Sequence, residues 1–270
     1  MVRARITAII RKEMAELARN RAAVLPVAVV GLVSTVLPFF LAIVVPHLSG
    51  HALSNDSDLT KGLSEVAGEL PGLATLSPQA SVQAFIFSRF LVMTLLVPVT
   101  AAITFAGHSV VGEKVSRSLE PLLATPITTG ELLVAKVLGA LLPSLAMMVI
   151  TTGIYLTAVS ILAEPGVFHS LLSAKTALLV LGLGPMTALV ALQVGVLISA
   201  RVNDPRTAQQ FAGLFIIPIT ALFMSQMSGV FVLTIWMGLL GLAGLIVIWV
   251  LLLLFGIAMF EREAILTRWK

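Results

Sequence analysis

The chain has 270 residues, of which 58% are hydrophobic and only 11% charged, with a mean hydropathy of +1.06. A soluble domain carries roughly 25% charged residues, so composition excludes an ordinary soluble protein and points to an all-α, polytopic integral membrane protein. Cysteine is absent, which excludes a disulfide framework, a thiol nucleophile and a cysteine metal site; the net charge of +4 tells less than its distribution.

Residues 1–21 are basic and periodic. Val2, Ile6, Ile10, Met14 and Leu17 share one face, and Arg5, Arg11, Lys12, Glu16 and Arg19 lie elsewhere. This predicts an amphipathic helix lying along the membrane surface. It is not a cleavable signal, because a full-length apolar run follows with no small-residue cleavage pattern. Residues 22–45 form the first expected span, since about 20 apolar residues cross the roughly 30 Å of hydrocarbon. A polar loop follows over 46–84, with Asp56, Asp58, Glu65 and Glu69 against Lys61, and short helical pieces are expected around 59–70. The second span is expected over 85–108. Arg89 then sits one turn inside it, where it can snorkel to the interface.

Between the second and third spans lies 109–136, the most consistently patterned polar stretch. Ser118 can cap a helix that starts Leu119-Glu120-Pro121, where proline is tolerated in the first turn and Glu120 favours the positive end of the helix dipole. Thr125-Pro126 stops that helix. Thr128 with Glu131 reads as a capping box for the next one. The stretch therefore reads as a short capped helix, a break, and a second helix entering the membrane.

The third span is expected over 137–162, followed by a tight turn at Glu164-Pro165-Gly166, and the fourth over 175–200. A polar loop, RVNDPRTAQQ, occupies 201–210. From Thr207 to Phe260 no residue is charged. One helix of that length would be about 81 Å long, so at least two spans are needed. They are expected over 211–224 and 236–260, with a break near 225–229 and a re-entrant or interfacial element between them. Six spans place both termini on one side. Of the 17 Lys and Arg residues, fourteen fall on that side and three (Lys61, Arg89, Lys175) on the other, which predicts cytoplasmic termini and a cytoplasmic central stretch.

No phosphate loop of the GxxxxGK[ST] type occurs, so nucleotide binding of that kind is not expected in this chain. His47, His51, Asp56 and Asp58 lie near one another in sequence, but a metal centre needs three or four converging ligands, and none is expected. No ionisable residue falls at the middle of an expected span, which argues against a proton-coupled carrier and against intramembrane acid–base chemistry. The candidate substrate-path residues are the polar Thr94, Thr100, Thr151, Tyr155 and Thr220. Each of the first five spans carries a proline (Pro26 and Pro38, Pro98, Pro143, Pro185, Pro218), which suits a bundle that changes shape. Gly238, Gly241 and Gly244 in the sixth would admit a close helix neighbour.

The stretch EKVSRSLEPLLATPITTGELLVAK closely resembles the signature of type-2 ATP-binding-cassette (ABC) exporter permeases, the branch of sodium- and multidrug-exporter-like membrane subunits. Its matching positions are Glu113 and Lys114, Leu119 to Pro126, Glu131 and Lys136. The N-terminal RKEMAELARNR and the loop NDPRTAQQ also resemble family segments. One departure is Arg117-Ser118, where the family usually has Gly-Thr: serine keeps a hydroxyl cap, and arginine adds a bulky charge at the helix entry. The resemblance implies a single transmembrane permease domain in the cell (inner or plasma) membrane of a bacterium. It implies a dimer with a second copy or a paralogue, and separate ABC ATPase subunits that bind ATP and Mg, with no cofactor in this chain. It also implies that Leu119 to Thr125 is a coupling helix docking on the ATPase, with Leu119, Leu122 and Leu123 as apolar anchors, Glu120 as a polar contact, and Glu113, Ser118, Pro121, Thr125 and Pro126 shaping it. An ATP-driven exporter of amphipathic or lipid-like cargo is the expected function; membrane lipids are expected partners and nucleic acid is not. A secondary ion-coupled carrier, or a membrane-embedded enzyme or scaffold, stands as the alternative.

Overall fold

The computed structural model describes residues 2–50, 53–55, 57–66, 73–115, 129–201, 207, 210, 213–214, 216–228 and 233–259. Among the described residues all regular structure is helical. The amphipathic helix α1 (Val2–Arg19) packs against the third long helix and ends at Asn20, whose side chain accepts the Ala23 N–H and starts the next helix. Leu17 of the expected apolar face is buried and Ile10 half-buried, whereas Met14 of the same face is exposed; Lys12 pairs with Glu16 at 3.6 Å on the exposed side.

Among the described residues, five helices are long and apolar enough to cross a membrane. They are α2 (Arg21–Ser49), α4 (Pro78–Gly107 within a longer helix), α5 (Val137–Leu162 within Thr129–Leu162), α7 (Ala174–Ser199) and α9 (Ile235–Gly256 within Ile235–Met259). Between them lie α3 (Ser57–Val66), α6 (Val167–Leu171) and α8 (Ile216–Met227). At 12 residues, α8 is about 18 Å long, shorter than the hydrocarbon layer.

The bundle is built around α4, whose apolar window is 94% buried, whereas that of α9 is 6% buried. Helix α4 begins at Pro78, with the Ser77 hydroxyl accepting the Ala80 N–H. That is seven residues earlier than the apolar pattern suggests. This changes the reading of Arg89, which lies about three turns into the helix and is 3% exposed. It does not snorkel: its guanidinium carbon sits 5.1 Å from the centre of the Phe85 ring, a cation–π contact one turn back. Gly62 of α3 lies on that ring, where an added Cβ would come within 3.0 Å of Phe85 Cζ.

Three prolines leave a trace in the helix geometry, whereas Pro26, Pro38 and Pro143 stand inside regular α-helix. Pro46, Pro98 and Pro185 each follow an irregular turn: π-helical Phe40–Val44, 3-10 Leu91–Leu95 and π-helical Leu178–Leu183. Proline removes a donor and crowds the carbonyl four residues back, and the widened or tightened turn absorbs both effects. Beside the turn before Pro46, Gln83 Nε2 donates to the Ala42 carbonyl at 3.5 Å.

Neighbouring residues give the helix directions. Phe39 meets Phe87 and Ala42 meets Gln83, so α2 and α4 are antiparallel. Phe39 and Tyr155 meet, as do Gly31 and Thr151, so α2 and α5 run the same way. Leu178 meets Gly238, Leu242 meets Gly182, and Leu197 meets Gly256, so α7 and α9 are parallel. One end of the bundle, called distal here, therefore carries Ser49, Pro78, Leu162 and Ala174. The proximal end carries Arg21, Val115, Thr129 and Arg201. The glycines of α9 divide: Gly238 packs tightly on Leu178, Gly241 touches Leu183, and Gly244 has nothing within 4 Å of an added Cβ.

Candidate functional site

The predicted coupling segment is flanked by two helical extensions. The second long helix continues past Gly107 to Val115, and the third begins at Thr129, ahead of Val137. Each extension adds about 12 Å of helix at the proximal end. Glu113 lies on the first of them. Ser118, Leu119, Glu120, Pro121, Leu122, Leu123, Thr125 and Pro126, with Arg117 and Thr128, lie outside the described residues, as do His51 and Asp56.

The five candidate substrate-path residues lie in helix packing. Thr94 Oγ1 donates to the Leu91 carbonyl at 2.6 Å, and Thr220 Oγ1 to the Ile216 carbonyl at 3.0 Å. Both bonds fold the hydroxyl back on its own helix, as is usual for threonine in apolar surroundings. Thr151 is buried against Gly31. Thr100 Oγ1 is buried with no hydrogen-bond partner among the described residues. Tyr155 is fully buried, and its hydroxyl donates to the Phe87 carbonyl at 2.7 Å. Its ring closes a triad with Phe39 and Phe87, with centroids 4.8 to 6.1 Å apart. This triad pins α2, α4 and α5 together near their distal halves.

Two buried amides, Gln83 and Gln226, are not expected from the sequence, and Arg89 is enclosed rather than snorkelling. Gln83 is 4% exposed and bridges two elements: besides its donation to Ala42, its Oε1 accepts the Glu164 N–H at 2.9 Å. Gln226 of α8 is 1% exposed, with Nε2 unpartnered among the described residues, one turn beyond Phe223, which meets Phe90 edge to face at 5.2 Å. Gln226 lies inside an apolar run, where a polar residue must be enclosed by protein rather than lipid; Gln83 falls in a stretch that reads as loop and carries no such mark. Among the described residues no group of three or more His, Cys, Asp or Glu side chains could hold a metal.

Spans of this number and length, with one apolar helix enclosed by the others, define a multi-pass helical membrane protein. A family model described as ABC-2 family transporter protein matches residues 7–239. The chain belongs to that family and is a permease-type membrane component of an ABC transporter. No curated protein matches it, and neither does any solved structure.

Proposed function

We propose that the chain is the membrane-spanning subunit of an ATP-driven exporter, paired with a second copy or a paralogue and coupled to separate ATPase subunits that bind ATP and Mg. The observation that carries this reading is the pair of helical extensions ending at Val115 and starting at Thr129. They bracket LEPLLATP with rigid rods, and one of them leads directly into the enclosed central helix. A short capped helix held on two rods can pass rigid-body motion into the bundle, whereas a slack loop cannot. In this reading Leu119, Leu122 and Leu123 seat in a groove on the ATPase, and Glu113, Ser118, Glu120, Pro121, Thr125 and Pro126 set the helix and its ends.

Six crossings with both termini cytoplasmic fit the same picture. The parallel run of α7 and α9 favours one crossing between them, with α8 as part of it. The bias of fourteen basic residues to three favours a cytoplasmic proximal end. Cargo moves between the two protomers, with Thr94, Thr100, Thr151, Tyr155 and Thr220 brought toward the path when the helices shift.

The test is copurification. Leu122→Arg places a charge in an apolar anchor and should abolish retention of the ATPase while the permease still inserts in the membrane. Undiminished retention with normal insertion would refute the coupling assignment.

A further inference from the structure

Two neighbouring concavities at the distal end of α5 share one residue. A shallow apolar furrow of about 530 Å³ runs along the exposed face of α5 from Val149 to Leu162, between side chains of that one helix and over its small residues Gly153 and Ala158. A polar cavity of about 410 Å³ opens beside it, lined by Pro46, His47, Gln79, Gln83, Leu162 and Glu164. Leu162 lines both. The furrow covers thirteen helical steps, about 20 Å, and one leaflet of hydrocarbon is about 15 Å thick. An apolar trough of leaflet length that ends in a polar cavity has the shape and polarity of a single lipid.

The cavity's charge selects the headgroup. Glu164 is exposed, and among the described residues no basic side chain stands within ion-pair distance of its carboxylate. Gln83 holds the Glu164 backbone N–H at 2.9 Å and so fixes that residue at the cavity wall. A carboxylate held at the membrane edge complements a small cation. His47 and Gln79, across the same cavity, carry N–H donors for a phosphate.

We propose that this cleft binds one lipid of the distal leaflet whose headgroup joins a primary ammonium to a phosphate. The ammonium pairs with Glu164, the phosphate faces His47 and Gln79, and an acyl chain fills the furrow over Gly153. The site is separate from the ATPase-coupling segment and does not depend on it.

The experiment uses the full chain reconstituted in bilayers with equal parts phosphatidylethanolamine, phosphatidylcholine and phosphatidylglycerol. Protein is re-extracted in mild detergent, and retained lipid is counted by native mass spectrometry. Phosphatidylcholine keeps the phosphate but replaces the ammonium hydrogens with methyl groups; phosphatidylglycerol keeps the phosphate and lacks the cation. The wild type should retain the ethanolamine lipid about fivefold over either of the others, the scale of a part-exposed ion pair. Glu164→Gln should erase that preference. Gly153→Trp, at a position where an added Cβ meets nothing within 4 Å, should lower retention of all three lipids, with an unchanged helical circular dichroism melt. Equal retention of the three lipids by the wild type, or a preference that survives Glu164→Gln, would overturn the site.

Discussion

Tyr155 tests whether the three-helix pin holds the bundle. Tyr155→Phe removes one hydroxyl and leaves the ring in place. The Phe87 carbonyl still receives the Leu91 N–H, so no buried acceptor is orphaned. The cost should be that of one interhelical hydrogen bond, about 0.6–1.5 kcal/mol. Tyr155→Ala also empties a fully buried site between two aromatic rings. In a bilayer the transfer of apolar surface contributes little, because lipid is as apolar as the core. What remains is lost dispersion and the cavity, so the cost should be about 2–4 kcal/mol, toward the lower end of aromatic truncations in soluble cores. The assay is reversible unfolding in mixed micelles, titrated with a denaturing detergent and followed by circular dichroism. A cost below about 1 kcal/mol for Tyr155→Ala, or equal costs for the two variants, would refute the packing argument.

Gly195→Ala should destabilise by about 1–3 kcal/mol, because the new Cβ would come within 3.0 Å of Ala106 Cβ on α4, next to the Ile103 backbone. Gly184→Ala should cost less than about 1 kcal/mol in the same titration, since the atom in its way is the mobile thioether of Met148. Gln83→Leu should cost about 1–3 kcal/mol, by leaving the Ala42 carbonyl and Glu164 N–H without their partner, and should speed amide exchange near Glu164 first. Ser54→Cys supplies a single thiol in a chain with no cysteine. A membrane-impermeant maleimide should label it only from outside the cell, and labelling only from the cytoplasm would reverse the proposed sidedness.

The apolar runs were legible because a span must hide its backbone and therefore needs uninterrupted apolar length. Hydropathy located the five long helices; of the span prolines only Pro98 and Pro185 follow an irregular turn, while Pro26, Pro38, Pro143 and Pro218 stand within α-helix. The distal start of α4 departs from the apolar pattern for a physical reason. Residues 78–84 include Gln79, Ser81 and Gln83, which look like loop when read for lipid exposure but are compatible with a helix enclosed by others. The signal was present in Ser77-Pro78, a cap followed by proline at the first helical position. Arg89 was misread as a consequence, since its depth is counted from that start. Tyr155 was singled out for its polarity, but its partner, a carbonyl 68 positions away in the chain, is a tertiary fact that no local pattern carries. The coupling segment is the reverse case: its motif is the most specific part of the chain, while its residues 116–128 lie outside the described structure.

The near-complete enclosure of α4 has a consequence for biosynthesis. The helix leaves the ribosome before α5 and α7, two of the elements that pack against it, because a chain is made from its N-terminus. For that interval Gln83 and Arg89 have only α1, α2, α3 and lipid or the insertion machinery as surroundings. An arginine at the centre of an isolated span costs about 2.5–3.5 kcal/mol to insert, and the apolar remainder of the helix must outweigh it. The second span is therefore the step at which this protein's insertion is most exposed to failure, and its polar residues are secured only when the later helices arrive.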